Sequence, residues 1–210
     1  MGGLTRRFLE KGRNRYVSMD DPDSQGCEFG VIYLEAGEEY SFVTEHEYLF
    51  CLCTGSVDLS WNGNTYSAAR MDWITEEPVV LSVPAGTDIR ILCSKGKAEI
   101  NYACTENSRS FEARLICPGN LLSVSIADEN RLDGKLKRIK RVFYDWDSHP
   151  DSCLFCGEIV NFPGCWACFP PHLHDEPEIY HYRFSPRQGY GFSEFGSEGR
   201  KVCDGDTMCI

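Results

Sequence analysis

Short strand-like runs separated by turn residues dominate this sequence and limit its fold more than any other feature. The runs are rich in β-branched and aromatic residues and end at Gly, Pro or Asn, and Asn62-Gly63 is typical of a hairpin turn. Many short strands at regular spacing predict an all-β sandwich or barrel, although Leu4–Arg15 could form a turn or two of helix. The strand candidates are Phe29–Leu34, Tyr48–Cys53, Ser56–Trp61, Val79–Val83, Asp88–Ser94, Ala98–Ala103, Arg141–Trp146, Cys153–Val160, Glu178–Ser185 and Tyr190–Phe195.

Turn residues at Pro118-Gly119, followed by a polar segment at Ala127–Gly134, separate the strand candidates into two groups. A chain of 210 residues is long enough for one or two domains with a buried core. We therefore predict two β units, residues 1–117 and residues 118–210.

The charge balance bears on partners and location. The net charge is −11, which disfavours nucleic acid and anionic membranes as partners. The sequence has no run of 18 apolar residues and no apolar signal core at its N-terminus, so a cytoplasmic protein is expected. The basic run Lys135–Arg141 is interpreted as a solvated linker and edge strand rather than an anion-binding patch.

Two histidines and a carboxylate form the pattern with the clearest chemistry, His172-x-His174-x3-Glu178. On a strand, residues i and i+2 share a face, so His172 and His174 can point the same way. A strand returning after a turn could bring Glu178 to the same point. Two imidazoles and a carboxylate suit Zn, Fe, Mn or Ni, so we predict a metal site; an exposed hairpin with ordinary acidic neighbours is the alternative.

The chain has 12 cysteines, and four of them form a CxxC-x8-CxxC pattern at Cys153, Cys156, Cys165 and Cys168. This pattern is typical of structural zinc. However, Cys153–Val160 has the composition of a strand, in which residues i and i+3 face opposite sides. We therefore interpret these cysteines as strand residues, and the other cysteines as free thiols in a reducing compartment.

Several segments resemble known families. Gly164-x7-His172-x-His174-x3-Glu178-x10-Gly189 resembles the first cupin motif, and most of the chain resembles the 5-deoxy-glucuronate isomerase family of myo-inositol catabolism, a bicupin family. About 40 residues carry the specific part of this resemblance. The strongest segments are Phe169-Pro-Pro-His-Leu-His-Asp175, Glu178-Ile-Tyr-His-Tyr-Arg-Phe184, Ser185-Pro-Arg-Gln-Gly-Tyr-Gly-Phe192 and Val202-Cys-Asp-Gly-Asp206, and weaker similarity lies at Glu47–Gly55 and Val83–Gly86.

The resemblance implies a tandem cupin, that is, two jelly-roll-like double-stranded β-helix barrels. Residues 1–117 would be a degenerate barrel without the metal motif, and residues 118–210 the metal-binding barrel. Leu173 stands where the family often has Lys. Gly205–Ile210 resembles the start of the second cupin motif, whose Pro and His would lie further on, so the second barrel is expected to be incomplete in a truncated chain.

The resemblance also implies a reaction, the isomerisation of 5-deoxy-glucuronate to 5-dehydro-2-deoxy-gluconate. One divalent metal ion, zinc first and manganese or iron as alternatives, would be bound by His172, His174 and Glu178. Strand alternation places Tyr180 and Tyr182 on the face of Glu178, which makes them the candidate catalytic residues, with aromatic core as the alternative role.

Two further residues are candidates for substrate binding. Gln188 could reach a substrate hydroxyl from its turn, and Arg183 could bind the substrate carboxylate. By the same alternation, Arg183 and His181 point away from the tyrosines, towards the other barrel or a partner subunit.

Other functions remain open from the sequence. The ligand is expected to be a small sugar acid, and a homo-oligomer is possible. A related uronate isomerase of pectin breakdown is a near alternative, and a non-catalytic sugar-binding or regulatory cupin is another. A metal-dependent dioxygenase and a zinc-stabilised structural module are the remaining alternatives.

Overall fold

The computed structural model describes residues 4–6, 9–168, 172 and 175–210. These residues form strands almost throughout and include no α-helix, only a 3₁₀ turn at Leu132–Gly134, so the predicted all-β class is confirmed. The strands up to Ile116 are β1 (Leu4–Arg6), β2 (Gly12–Val17), β3 (Cys27–Glu35), β4 (Glu39–Val43), β5 (Glu47–Trp61), β6 (Asn64–Arg70), β7 (Val80–Val83), β8 (Asp88–Thr105) and β9 (Arg114–Ile116). The later strands are β10 (Leu122–Asp128), β11 (Leu136–Tyr144), β12 (Cys156–Asn161), β13 (Ile179–His181), β14 (Tyr190–Phe195), β15 (Glu198–Cys203) and β16 (Asp206–Cys209).

Strands β2 to β9 form one antiparallel sheet centred on the long strands β5 and β8. The first part of β8 pairs with β4 and its second part with β3, whereas β5 pairs first with β7 and then with β6. Each long strand therefore pairs with different neighbouring strands along its first and second parts. One face of this sheet buries a continuous apolar cluster that includes Ile32, Phe50, Leu81, Ile91 and Ile100.

Both long strands join segments that the sequence predicted as separate strands. The register between β5 and β8 shifts near Thr54 and Gly55, and Lys95–Lys97, where Gly96 is a turn signal between two predicted strands, lies inside β8. Gly55 has φ of 110°, a region that L side chains rarely adopt. The turn signals at these two places therefore mark irregularities in continuous strands rather than chain reversals.

The second half of the chain forms three smaller antiparallel sheets. These are β10-β11-β12, the hairpin β14-β15, and β1-β16-β13. Sheet membership changes between Ile116 and Leu122, close to the boundary predicted between residues 117 and 118, which stays a prediction. Strand β1 lies in the sheet with β16, from the other end of the chain, so the segment before β2 contributes to the later sheets.

The two halves share a second apolar cluster. Leu49 and Val80 from the large sheet pack with Phe143, Tyr144 and Leu154 from the later segments. The halves are therefore joined by core packing as well as by polar contacts.

Two local predictions are wrong. The basic run Lys135–Arg141 is not an edge strand, because β11 pairs with β10 on one side and β12 on the other. Arg141 in this run is buried and paired with Glu158. Leu4–Arg15 contains β1 and the start of β2 among its described residues, not a helical turn.

No helix among the described residues has the length and apolar character needed to cross a membrane.

Candidate active site on strand β13

Backbone pairing extends beyond both ends of β13. The Glu178 N–H donates to the Ile210 carbonyl (3.1 Å), the Ile210 N–H donates back to the Glu178 carbonyl (2.9 Å), and the Tyr182 N–H donates to the Asp206 carbonyl (2.8 Å). Residues 178–182 are therefore held in extended conformation along β16, and alternate side chains must point to opposite sides.

One side of this segment carries Glu178, Tyr180 and Tyr182. The Tyr180 hydroxyl donates to Glu178 Oε2 at 2.5 Å, and the two tyrosine rings have centroids 6.2 Å apart. The Tyr182 hydroxyl donates to Ser193 Oγ at 3.2 Å, on β14. The three side chains are half-buried. The alternation expected from the sequence is thus observed, and it aligns a carboxylate with two phenols.

Both phenols are protonated at neutral pH, because a tyrosine pKa is ordinarily about 10 and is raised further here. Burial raises the pKa of Tyr180, and the hydrogen bond to Glu178 raises it further. Burial likewise raises the pKa of Tyr182, while the hydrogen bond with Ser193 lowers it. At neutral pH both hydroxyls can donate hydrogen bonds, so this row suits an oxygen that gains negative charge.

The opposite side of the segment faces the large sheet. His181 lies against Tyr16 and Phe29, with ring centroids 5.6 Å and 5.2 Å away, and its Nδ1 is 2.9 Å from Thr207 Oγ1. Burial lowers the pKa of His181 to about 3, so the imidazole is neutral at physiological pH. The position of His181 between the two halves fits the interface role expected from strand alternation.

Arg183 also points away from the tyrosines. Its guanidinium pairs with Glu99 on β8, and its Nε donates to Asp204 Oδ1 at 3.1 Å. This arrangement gives Arg183 a connecting role between the halves. Substrate binding by Arg183 stays a prediction, without support from its placement.

Gln188 is exposed in the turn that is closed by the hydrogen bond from the Gly189 N–H to the Pro186 carbonyl (2.9 Å). Its role in binding a substrate hydroxyl is likewise still a prediction.

The predicted metal ligands are only partly described. His174 lies outside the described residues; His172 is exposed, with its Nδ1 3.8 Å from Cys168 Sγ. The Glu178 carboxylate is half-buried and accepts a hydrogen bond from Tyr180, the kind of contact that orients carboxylate ligands. Two imidazoles and this carboxylate fit a divalent ion in donor chemistry, and the metal site remains a prediction.

The four CxxC cysteines all lie among the described residues. Strand β12 begins at Cys156, so Cys153 precedes it and the prediction of a strand from Cys153 is wrong at this end. Nevertheless, the described part of the chain brings no three His, Cys, Asp or Glu side chains together in a way that could hold a metal ion.

Sequence reasoning missed the partners that support the tyrosine row. Ser193 contacts Tyr182, and Asp204 accepts hydrogen bonds from both Arg183 and the Phe184 N–H (2.9 Å). Asp206 is fully buried and its carboxylate accepts from the Cys203 N–H at 2.8 Å, closing the turn between β15 and β16. Alternation along the Tyr190–Phe195 strand could have shown which face carries Ser193. It could not have shown the contact of Ser193 with Tyr182, because that contact joins two different segments.

The sheets described above define an all-β protein. Residues 4–210 match the family model described as the KduI/IolB family, and the chain therefore belongs to that family.

Curated relatives carry the name 5-deoxy-glucuronate isomerase. That of Geobacillus kaustophilus is 22% identical over 204 residues, which are 90% of this chain and 71% of the relative. That of Shouchella clausii is 30% identical over 104 residues, which are 44% of this chain and 37% of the relative.

Among solved structures, an IolB-like protein of Salmonella typhimurium LT2 superimposes with a TM-score of 0.84 at 18% identity, covering 99% of this chain and 83% of that one. Protein YlbA of E. coli matches with a TM-score of 0.56 at 10% identity, over 100% of this chain and 82% of that one. At these identities the likeness concerns the fold alone.

Proposed function

We propose that this chain is a sugar-acid isomerase that converts 5-deoxy-glucuronate to 5-dehydro-2-deoxy-gluconate. Support comes from membership of the KduI/IolB family and from relatives named for this activity. The observation that carries the proposal is the row of Glu178, Tyr180 and Tyr182 on one face of an extended segment, where a carboxylate and two phenols lie together.

Aldose–ketose isomerisation moves a proton between adjacent carbons and places negative charge on oxygen in an enediolate. A protonated phenol donates a hydrogen bond to such an oxygen, which stabilises the charge as it develops. Tyr182 is the better placed of the two, because its hydroxyl is 3.2 Å from the neutral Ser193 hydroxyl, whereas the Tyr180 hydroxyl donates at 2.5 Å to the Glu178 carboxylate. Tyr180 would then orient the carboxylate of Glu178.

The proposed metal ligands are His172, His174 and Glu178. When bound there, a divalent ion, with zinc as the first expectation, would polarise the substrate carbonyl. The half-buried position of Glu178 and its hydrogen bond from Tyr180 support this assignment.

The test is turnover of 5-deoxy-glucuronate by the wild type and by Tyr182→Phe. Loss of the donated hydrogen bond should lower kcat by about 100-fold while metal content stays unchanged. Tyr190→Phe is the matched control, since Tyr190 is exposed on β14 and lies beside Lys201, 4.5 Å from its ring centroid. Full activity in Tyr182→Phe would remove Tyr182 from the mechanism.

A related uronate is the second candidate substrate, because the family description covers both KduI and IolB. Parallel assays with 5-deoxy-glucuronate and with the uronate of pectin breakdown separate the two. Binding of a sugar acid without turnover of either substrate would instead favour a non-catalytic sugar-binding protein.

A further inference from the structure

A cleft of about 390 Å³ lies where the two halves of the chain meet. It lies on the Arg183 side of the segment after β13, not on the side of the tyrosine row, because its lining includes Glu99, the partner of Arg183. The lining residues are Leu9, Tyr33, Thr54, Lys97, Glu99 and Arg187.

The floor of the cleft is a buried ion pair. The Glu99 side chain is 6% exposed and pairs with Arg183, which also pairs with Asp204 at 3.1 Å. Arg183 offsets part of the negative charge of Glu99 and Asp204, and Arg187 contacts both carboxylates from the rim.

The rim carries two exposed cations from different halves. Lys97 on β8 is 68% exposed, and Arg187 in the turn before β14 is 73% exposed. Their ionic contacts are long: Lys97 Nζ lies 3.6 Å from Glu35 Oε1, and Arg187 Nη2 lies 3.4 Å from Glu99 Oε1. The exposed pair of Lys97 and Glu35 is weak, so Lys97 can turn towards an anionic ligand at small cost. Arg187 contacts the buried Glu99 and, at 3.9 Å, Asp204, but both carboxylates also pair with Arg183, so Arg187 can bind a ligand without leaving either carboxylate unpaired.

The other lining groups suit a hydroxylated molecule. The half-buried Tyr33 offers a ring face, which lies 5.9 Å from Lys97 Nζ. The Thr54 hydroxyl donates to the Arg70 carbonyl at 3.3 Å, which leaves the lone pairs of its oxygen available to a ligand hydroxyl. The volume is at the small end of the range for ligand sites, the size of a single sugar rather than of a nucleotide.

We propose that this cleft binds a small polyhydroxy carboxylate, with the carboxylate between Lys97 and Arg187 and the carbon skeleton against Tyr33. Such a ligand would contact β8 of the large sheet and the turn before β14 together. It would therefore tighten the junction of the halves from a site separate from the tyrosine row. The ligand class follows from the lining groups and does not depend on turnover at β13.

The test is titration calorimetry of the full chain with D-glucuronate as the probe. Lys97→Gln/Arg187→Gln should weaken binding about tenfold or more, because two charge-assisted hydrogen bonds are lost. Lys95→Gln/Arg131→Gln is the matched control, since it also removes one lysine and one arginine charge, but at exposed positions outside the cleft. The control should keep the wild-type affinity.

Unchanged affinity in Lys97→Gln/Arg187→Gln would overturn the proposal, as would an equal loss in the control, which would indicate net charge alone. Both double variants change surface residues, and circular dichroism verifies that they fold. D-glucose provides a second arm: it lacks the carboxylate and should bind at least about tenfold more weakly than D-glucuronate. Equal affinity for the two sugars would contradict carboxylate recognition. These outcomes are measured as binding and not as isomerase turnover. A failure of the proposed function in the turnover assay can therefore be told apart from a failure of the cleft to bind the sugar acid.

Discussion

At the scale of single residues, a buried imidazole connects packing with pH. His181 lies between Tyr16 and Phe29, and burial holds its pKa at about 3. The positive charge of Arg183 lowers this pKa further, while the carboxylates of Asp204 and Asp206 oppose the shift. In the unfolded chain the imidazole would have a pKa of about 6.5.

Because the folded pKa of His181 is depressed, the unfolded chain binds the extra proton between about pH 6.5 and pH 3, and folding stability must fall as the pH drops through that window. Between pH 7 and pH 5 this group alone should cost the wild type about 2 kcal/mol. His181→Gln should lose less stability over the same interval, as measured by urea unfolding at both pH values. Equal losses in the two proteins would show that His181 is not the group responsible.

At the scale of secondary-structure elements, the continuity of β5 depends on one glycine. Gly55 has φ of 110°, and a Cβ at this position would lie 2.3 Å from the Lys97 carbonyl oxygen and 2.6 Å from Ala98 Cα. The neighbouring strand β8 therefore comes too close for any side chain. Gly63 in the hairpin turn also has positive φ, 83°, but a Cβ there would meet no atom within 4 Å.

This difference gives a matched pair of substitutions. Gly63→Ala should cost about 1 kcal/mol of unfolding free energy, from backbone strain alone. Gly55→Ala adds a clash with backbone atoms and should cost about 3 kcal/mol or more. Urea unfolding of both variants measures the two costs, and similar values would indicate that β8 can move away from β5 easily.

At the scale of the whole molecule, polar contacts and a shared apolar cluster unite the two halves. Arg70 on β6 is 1% exposed and pairs with both oxygens of Glu158 on β12, at 2.7 Å and 2.9 Å. Arg141 on β11 pairs with the same carboxylate at 3.2 Å. The Glu158 carboxylate thus forms ion pairs with two buried guanidinium groups, one from each half of the chain.

Replacing Glu158 with Gln should therefore leave two buried cations without their anion. The expected loss is about 3 kcal/mol of unfolding free energy, the usual range for breaking a buried pair. Glu198→Gln is the control, because the exposed pair of Glu198 and Arg200 should contribute less than about 1 kcal/mol.

Differential scanning calorimetry of the wild type should show one cooperative transition. Two separate transitions would mean that the halves unfold independently despite these contacts.

Local patterns predicted much of the fold. Apolar alternation located Tyr190–Phe195 with its observed bounds, and it located the cores of β3, β5 and β8. It failed where a turn signal is overridden by pairing, as at Gly55 and Gly96, because two long neighbours provide hydrogen bonds on both sides of the irregularity. It also failed for the basic run in β11, where Arg141 is buried in a central strand against Glu158 while Lys137 stays exposed.

The sequence by itself determined the all-β class, the family and the row of Glu178, Tyr180 and Tyr182, since a strand has a period of two and each residue's face follows from its position. Only the tertiary structure decided what each face meets: Ser193 beside Tyr182, the aromatic slot around His181, and Glu99 opposite Arg183. The reason is physical. Alternation is local, whereas the partner of each face lies between 11 and 165 residues away along the chain, and which strands pair depends on burying both apolar clusters at once.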